Sequence, residues 1–138
     1  MISIENKYTE YRSNSSSIFS CRYHVIFCPK YRRNVLTNEI SIRLKEIFSE
    51  ISEKISCPIV EMEILTDHVH LLIDCDPSFG ITKVIRELKG KSSKLLRNEF
   101  PSLKKRLPCL WTRSSFIATV GSVSLKTVKK YIQDQKGK

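Results

Sequence analysis

The sequence carries two of its three histidines in one tripeptide, His68-Val69-His70. On a β-strand, side chains two residues apart point to the same face, so both imidazoles can bind one divalent cation. Asp67 and Glu63 lie close by in the chain and bring carboxylate oxygens. Two exposed or hydrogen-bonded histidines that bind nothing would have the same pattern. The spacing therefore predicts a candidate metal site and leaves the simpler interpretation open.

A second candidate group lies near the C-terminus, where Tyr131 and Gln135 are four residues apart. In a helix this spacing places them on one face. If a cation on His68, His70 and one oxygen ligand polarised a phosphodiester, the Tyr131 phenol could attack the phosphorus. The phosphotyrosine ester would keep the energy of the broken bond for rejoining, so no nucleotide cofactor is expected. A tyrosine packed by its ring, with its hydroxyl in water, is the ordinary alternative.

Hydrophobic periodicity and turn residues predict the elements that must position these groups. The predicted strands cover residues 18–28, 59–65, 68–74 and 110–120. The predicted helices run from Thr37 or Asn38 to about Ser56, from Ile81 to about Pro101, and from Ser122 or Ser124 to Gln135. The order is that of an α+β, ferredoxin-like βαββαβ fold, with an antiparallel sheet, two helices on one face and a C-terminal helix that carries the tyrosine.

Length and composition indicate a single domain, because the chain has 138 residues of which 41% are hydrophobic. Residues 1–17 are polar and lack an apolar period, so we expect a flexible N-terminal arm before a domain of residues 18–138. No apolar run is long enough to span a bilayer, which predicts a soluble, cytoplasmic protein. The five cysteines show no CxxC spacing and are expected to be buried thiols.

The net charge of +10 points to a polyanionic partner. The surplus lies in the second half, which has 15 basic and 3 acidic residues from Phe79 onward, against 9 and 11 through Asp76. One short loop and two helices hold the basic residues that we expect to contact DNA: Lys30, Arg32 and Arg33; Lys83, Arg86, Lys94 and Arg97; Lys126 and Lys130.

Six blocks in order make the sequence similar to a known family, the single-tyrosine HUH transposases of small bacterial and archaeal insertion sequences. The blocks are residues 23–33 (YHVIFCPKYRR), 67–72 (DHVHLL), 89–93 (KGKSS), 110–112 (LWT), 118–121 (ATVG) and 131–135 (YIQDQ). One departure is Ser115, because many relatives carry a tyrosine just before the phenylalanine at this point.

The resemblance implies a set of roles for individual residues. His68, His70 and Gln135 would bind Mg²⁺ or Mn²⁺, and Tyr131 would cleave single-stranded DNA to leave a 5′-phosphotyrosine and a free 3′-OH. It further implies recognition of hairpins near the element ends. It also implies a homodimer in which the tyrosine helix of one subunit serves the histidines of the other.

Three alternatives remain open from the sequence. A non-catalytic ferredoxin-like module could bind nucleic acid through its sheet and basic residues. A domesticated relative could act on dispersed palindromes. A zinc hydrolase could use His68, His70 and Asp67, although it would leave Tyr131 and the charge surplus without a role.

Overall fold

A four-stranded antiparallel sheet forms the centre of the fold. The computed structural model describes residues 11–120 and 125–137, with the backbone alone for residues 125–128. The strands are β1 (Arg12–Ser13), β2 (Ile18–Phe19), β3 (Arg22–Phe27), β4 (Ile59–Ile64), β5 (Val69–Asp74) and β6 (Phe116–Thr119). The helices are α1 (Asn38–Lys54), α2 (Ile81–Glu99), α3 (Pro101–Arg106) and α4 (Leu125–Asp134), with a 3₁₀ turn at Lys30–Arg32.

The strand order β4-β5-β3-β6 is that of the ferredoxin-like fold, so the predicted architecture is confirmed. Alternation along the central strands separates two faces. Val25, Val69 and Leu71 are fully buried against α1 and α2. Intervening residues, among them His70 and Leu72, lie on the opposite face.

The two long helices cover the core face through the predicted apolar positions. Leu44 and Phe48 of α1 and Val84 and Leu88 of α2 are fully buried in one cluster with the strands. Near the C-terminal end of α2, Leu96 is fully buried, whereas Leu95 lies at the edge of the apolar face and is 36% exposed. Within the part of the chain that the structure describes, no helix is long and apolar enough to cross a membrane.

Two predicted segments differ from the structure after α2. Lys104, Lys105 and Arg106 follow the predicted end of the second helix, and they form the last turn of α3, which begins at Pro101 because proline is well tolerated in a first helical turn. The predicted strand of residues 110–120 is ordered as a strand only in β6, and Trp111 makes an isolated bridge to Pro29. Ser122 and Ser124, the predicted caps of the last helix, lie outside the described residues.

A short hairpin precedes the four-stranded sheet in the chain. Its strands β1 and β2 form a separate two-stranded sheet, and residues 12–17 of the expected flexible arm belong to this hairpin. The Arg12 Nε atom donates to Asp74 at 2.9 Å, and Arg22 binds the other carboxylate oxygen of Asp74 at 3.1 Å. This ion cluster attaches the hairpin to the end of β5.

Replacing Asp74 with alanine is expected to lower the free energy of unfolding by about 3–5 kcal/mol, because Arg12 and the buried Arg22 would both lose the carboxylate that binds them. The side chains of Asp74 and Arg22 are only 3% and 5% exposed. Urea denaturation measures the loss. The matched control is Glu46→Ala, which removes an exposed partner of Arg43 and should leave the midpoint nearly unchanged. Equal midpoints for the two variants would contradict the role given to Asp74.

Candidate active site

The face of the sheet opposite α1 and α2 carries the candidate site. Backbone register arranges its side chains in two rows across β4, β5, β3 and β6. The rows are Glu63, His70, Ile26 and Phe116, and then Glu61, Leu72, His24 and Ala118. Ile26 and Leu72 are buried and form an apolar floor beside the polar groups. The predicted shared face for the histidine pair therefore depends on the pairing of β5 in the middle of the sheet.

His68 lies at the end of the tight turn that joins β4 to β5. Its Nδ1 atom is 2.8 Å from an Asp67 carboxylate oxygen, and the other Asp67 oxygen binds Arg32 Nε at 3.0 Å. A carboxylate that accepts from Nδ1–H fixes the imidazole tautomer and directs the Nε2 lone pair outward. This is the arrangement that a metal-binding histidine requires, and it makes Asp67 an orienting group.

His70 is the second histidine of the pair, and it contacts a partner that the sequence did not predict. Its Nε2 atom lies 3.2 Å from Nδ1 of His24, the remaining histidine of the chain. Burial, then the neighbouring His24, lowers the pKa of His70, while Glu63 acts in the opposite direction. Burial and His24 thus both favour the neutral form of His70, which is the form of an imidazole that binds metals.

A cavity of about 360 Å³ opens beside His70 on the β4 side of this face. It is lined by Glu61, Met62, Glu63, His70 and Leu72. Its two carboxylates give it negative potential, which favours a cation over a phosphate at this position.

Tyr131 lies on α4 and packs against the end of the first row. Its ring centroid is 5.0 Å from that of Phe116. Burial raises the pKa of Tyr131, and the neighbouring Ser114 lowers it by less. Among the described residues, the buried Tyr131 hydroxyl oxygen has no hydrogen-bond partner of standard geometry. Burial therefore favours the protonated form of the phenol in this position.

Gln135 follows Tyr131 by one turn and is 97% buried, since only 3% of it is exposed. Its amide oxygen accepts a hydrogen bond of 3.0 Å from the Ser114 hydroxyl. A carbonyl oxygen has two lone pairs, so this bond orients the amide and leaves one lone pair for another partner.

The loop that carries Ser114 is held by a single, partly buried ammonium group. Lys89 of α2 donates to the carbonyl oxygens of Thr112 at 2.6 Å, Ser114 at 3.2 Å and Arg113 at 3.3 Å. It also donates to the Ser115 hydroxyl at 3.2 Å, the position where the sequence departs from the family. Burial lowers the pKa of Lys89 to about 8. Through these hydrogen bonds Lys89 positions the loop whose Ser114 hydroxyl binds Gln135.

Arg32 connects the histidine turn with the tyrosine helix. Besides its ion pair with Asp67, its guanidinium donates to the Ile132 carbonyl of α4 at 2.9 Å. The sequence predicted Arg32 as a DNA contact, and the structure shows intrachain partners for it. Sequence reasoning had no signal for these partners, because the residues are 35 to 100 positions apart.

By type, the donor groups fit a divalent cation. His68 and His70 carry imidazole nitrogens, and Gln135 carries an amide oxygen oriented by Ser114. No group of three His, Cys, Asp or Glu suited to a metal occurs among residues 11–120 and 125–137, so a third ligand would have to be of another type. No hydrogen bond joins either histidine of the pair to Tyr131 or Gln135 in this described part. Two strand spacings, about 10 Å, separate the His70 and Phe116 positions in their row.

The predicted DNA contacts fall into three groups. Lys83, Arg86, Lys94, Lys130 and Arg33 are exposed. Lys30 lies over the Tyr31 ring, and Arg97 donates to the Leu107 carbonyl at 2.9 Å. The side chain of Lys126 lies outside the described residues.

A ferredoxin-like sheet with a histidine pair on one face, and a tyrosine helix docked on that same face, is the arrangement of the single-tyrosine HUH transposases. Comparison with known proteins agrees with this class. A family model described as IS200-like transposase matches residues 17–135.

Two relatives and two solved structures are similar to the chain. The ISDra2 transposase TnpA of Deinococcus radiodurans is 34% identical over 131 residues, 94% of either chain. The IS200 transposase of Salmonella typhimurium is 32% identical over 126 residues, which are 90% of this chain and 82% of that one. A crystal structure of a transposase candidate from Deinococcus radiodurans R1 has a TM-score of 0.84 at 30% identity, over 92% of this chain and 99% of that one. A REP-associated tyrosine transposase bound to a REP hairpin has a TM-score of 0.56 at 16% identity, over 90% and 68%.

The chain therefore belongs to the IS200-like transposase family, whose members are enzymes that act on DNA.

We expect His70 to titrate below the ordinary histidine value of 6.5, because burial and His24 both disfavour its charged form. Nitrogen chemical shifts of the imidazoles, followed by NMR against pH, measure this directly. In His24→Gln the pKa of His70 should rise part of the way back, since a like charge has been removed. A His70 midpoint at or above 6.5 in the metal-free protein would contradict the placement.

Proposed function

We propose that this transposase cleaves and rejoins single-stranded DNA at the ends of an insertion sequence, through a 5′-phosphotyrosine on Tyr131. The observation that carries the proposal is the docking of α4 on the histidine face, where Arg32 joins Ile132 of the helix to Asp67 beside His68. The two relatives reported above are named as insertion-sequence transposases, which supports the substrate. Such a reaction would take place with the host DNA in the cytoplasm of a bacterium or archaeon.

His68, His70 and Gln135 would hold Mg²⁺ or Mn²⁺. The bound cation would supply Lewis-acid polarisation of the scissile phosphodiester and would favour ionisation of the phenol. Asp67 orients His68, Ser114 orients Gln135, and Lys89 holds the loop that carries Ser114. These residues would thus hold the ligands in place before substrate binds.

Tyr131 would attack the phosphorus, and the 3′ oxygen of the upstream nucleotide would leave with a proton. Burial keeps the phenol protonated in the position described, so the attack requires neighbouring positive charge. Lys129 and Lys130 precede Tyr131 on α4 and are exposed, so they can approach the phosphate. In the reverse step a 3′-OH attacks the phosphotyrosine and frees the tyrosine.

The exposed basic residues of α2 would bind the DNA backbone. Lys83, Arg86 and Lys94 are exposed along that helix. The family resemblance implies that the recognised DNA forms a hairpin. A structural neighbour is bound to a REP hairpin, which supports the use of hairpin DNA in experiments.

The direct test is covalent capture of DNA. The full chain is incubated with single-stranded oligonucleotides that carry the palindromes flanking its gene, with Mg²⁺ or Mn²⁺. We expect a protein–DNA adduct on denaturing gels that Tyr131→Phe abolishes, because the attacking oxygen is gone.

The matched control is Tyr23→Phe, which removes the hydroxyl of another partly buried tyrosine and should keep the adduct. Chelation with EDTA should prevent adduct formation. Binding that persists in EDTA, without any adduct from the wild type, would instead support a non-catalytic nucleic-acid-binding module.

We also propose a homodimer in which the active sites are shared. In support, the Tyr131 hydroxyl is buried on its own sheet, two strands from His70, and the described residues provide no hydrogen bond between them. Mixing the His68→Ala, His70→Ala double variant with Tyr131→Phe should then restore the adduct, on the chain that retains Tyr131. Native mass spectrometry checks that mixed dimers form. Mixed dimers without an adduct would show that each chain uses its own tyrosine.

A further inference from the structure

Three cysteines lie side by side across the sheet, at the end opposite the candidate active site. Both strand ladders continue one step past β5: the Cys75 amide donates to the Cys21 carbonyl at 2.8 Å, and the Asp74 amide donates to the Pro58 carbonyl at 2.9 Å. The registers of β3 with β5 and of β4 with β5, extended by this step, place Cys21, Cys75 and Cys57 in one row.

Cys57 and Cys75 form the closer pair of this row. Pro58 and Asp74 are hydrogen-bonded partners, so the next pair outward, Cys57 and Cys75, is of the non-hydrogen-bonded type. Such pairs have Cα atoms about 4.5 Å apart, within the range of about 4.4–6.8 Å found in disulfides. Cys57 and Cys75 are 0% and 1% exposed, and both contact Asp76: its amide donates to Cys57 Sγ at 3.5 Å, and its carbonyl accepts from the Cys75 thiol at 3.4 Å.

The surroundings of the pair favour a thiolate on Cys57. Its sulfur accepts a hydrogen bond from the Asp76 amide at 3.5 Å, and the Cys75 thiol lies opposite it in the row. The Cys75 thiol lowers the pKa of Cys57 to about 7, although burial opposes it, and the same contact raises the pKa of Cys75. The pair thus contains a nucleophilic sulfur and, in contact with it, a thiol that can resolve an oxidised product.

Cys21 is less suited than Cys57 to forming a disulfide with Cys75. Its pair with Cys75 is hydrogen-bonded through the backbone, and such pairs have Cα atoms about 5.5 Å apart. Cys21 is partly exposed, and burial together with Asp74 raises its pKa. A metal shared by the three thiols is also disfavoured, since no cluster suited to a metal occurs among the residues that the structure describes.

We propose that Cys57 and Cys75 are a site of oxidative modification, at which a hydroperoxide converts the two thiols to a disulfide. The Cys57 thiolate attacks one peroxide oxygen, the O–O bond breaks, and the other oxygen leaves as an alcohol, or as water from hydrogen peroxide. The resulting sulfenic acid is attacked by the Cys75 sulfur, which forms the S–S bond and releases water. Two thiols are oxidised by two electrons and one peroxide is reduced.

The bond would join two connections of the fold. The Cys57 amide donates to Ser52 at the end of α1, and the Asp76 carbonyl, beside Cys75, accepts from the Gly80 amide at the start of α2. The disulfide would therefore tie the exit of α1 to the entry of α2, on the far side of the sheet from the histidine face.

The experiment uses the full chain with Cys109→Ser, which removes the exposed thiol and prevents cross-linking between molecules. After hydrogen peroxide treatment, intact mass should fall by two hydrogens, and a non-reduced peptide map should join Cys57 to Cys75. The oxidised protein should melt several degrees above its own reduced form, because the cross-link restricts the unfolded chain. A reductant should restore the original mass and melting temperature.

The matched variant adds Cys21→Ser, which should leave the disulfide and the rise in melting temperature intact. A map that joins Cys21 to Cys75, sulfinic acid on Cys57 without a cross-link, or unchanged thiols would each overturn the proposal. Both variants keep Cys57 and Cys75, and the results are read from the intact mass and the peptide map. The test therefore requires no substitution at either of these buried positions.

Discussion

The pairing of β5 between β3 and β4 is the constraint on which the rest of the structure depends. Val69, Leu71 and Ile73 of β5 are fully buried under the helices, and this burial places His70 on the other face. A slip of one residue would put the histidine in the core and three apolar side chains in solvent. Burial of the core residues therefore also determines the position of His70, the candidate metal ligand. The pairing of β5 with β3 fixes the backbone that carries it.

The turn that follows β3 contains backbone strain. Tyr31 and Arg32 have φ angles of 59° and 50°, a left-handed conformation that costs non-glycine residues about 1–2 kcal/mol each. The strained turn directs Arg32 toward both Asp67 and the Ile132 carbonyl, and its salt bridge and hydrogen bond offset the cost. Backbone strain of this kind is concentrated at functional sites. Arg32 is better described as the link between the histidine turn and α4 than as a free cation.

Local sequence patterns were sufficient for most of the fold. The periods of α1 and α2, the alternation in β5 and the turn before His68 are properties of neighbouring residues, and the structure agrees with them. The differences between the predicted and observed elements have one physical cause, which is contact between residues that are distant in sequence. Residues 12–17 are ordered by an ion pair with Asp74, and Trp111 is placed by Pro29 and Ser92, all distant in sequence.

The candidate site divides in the same way. The pairs His68 with His70 and Tyr131 with Gln135 could be found from spacing alone, because the members of each pair lie within five residues of sequence. The groups that orient them could not. His24 reaches His70 across 46 positions, Ser114 reaches Gln135 across 21, and Lys89 holds the Ser114 loop from 25 positions away. Such partners follow from sheet register and helix docking.

The positive charge must also be reinterpreted, because part of the surplus is used inside the chain. Arg12 and Arg22 bind Asp74, Arg32 binds Asp67, and Lys89 and Arg97 bind backbone carbonyls. Lys83, Arg86 and Lys94 have no ion pair or hydrogen bond with the residues that the structure describes. For single-stranded DNA, each phosphate contact adds about 0.7 to the slope of the logarithm of affinity against the logarithm of salt concentration. The exposed cations, rather than the total charge, determine that slope. The excess of +12 from Phe79 onward thus overestimates the charge available to DNA, because some of those cations maintain the loop beside Gln135.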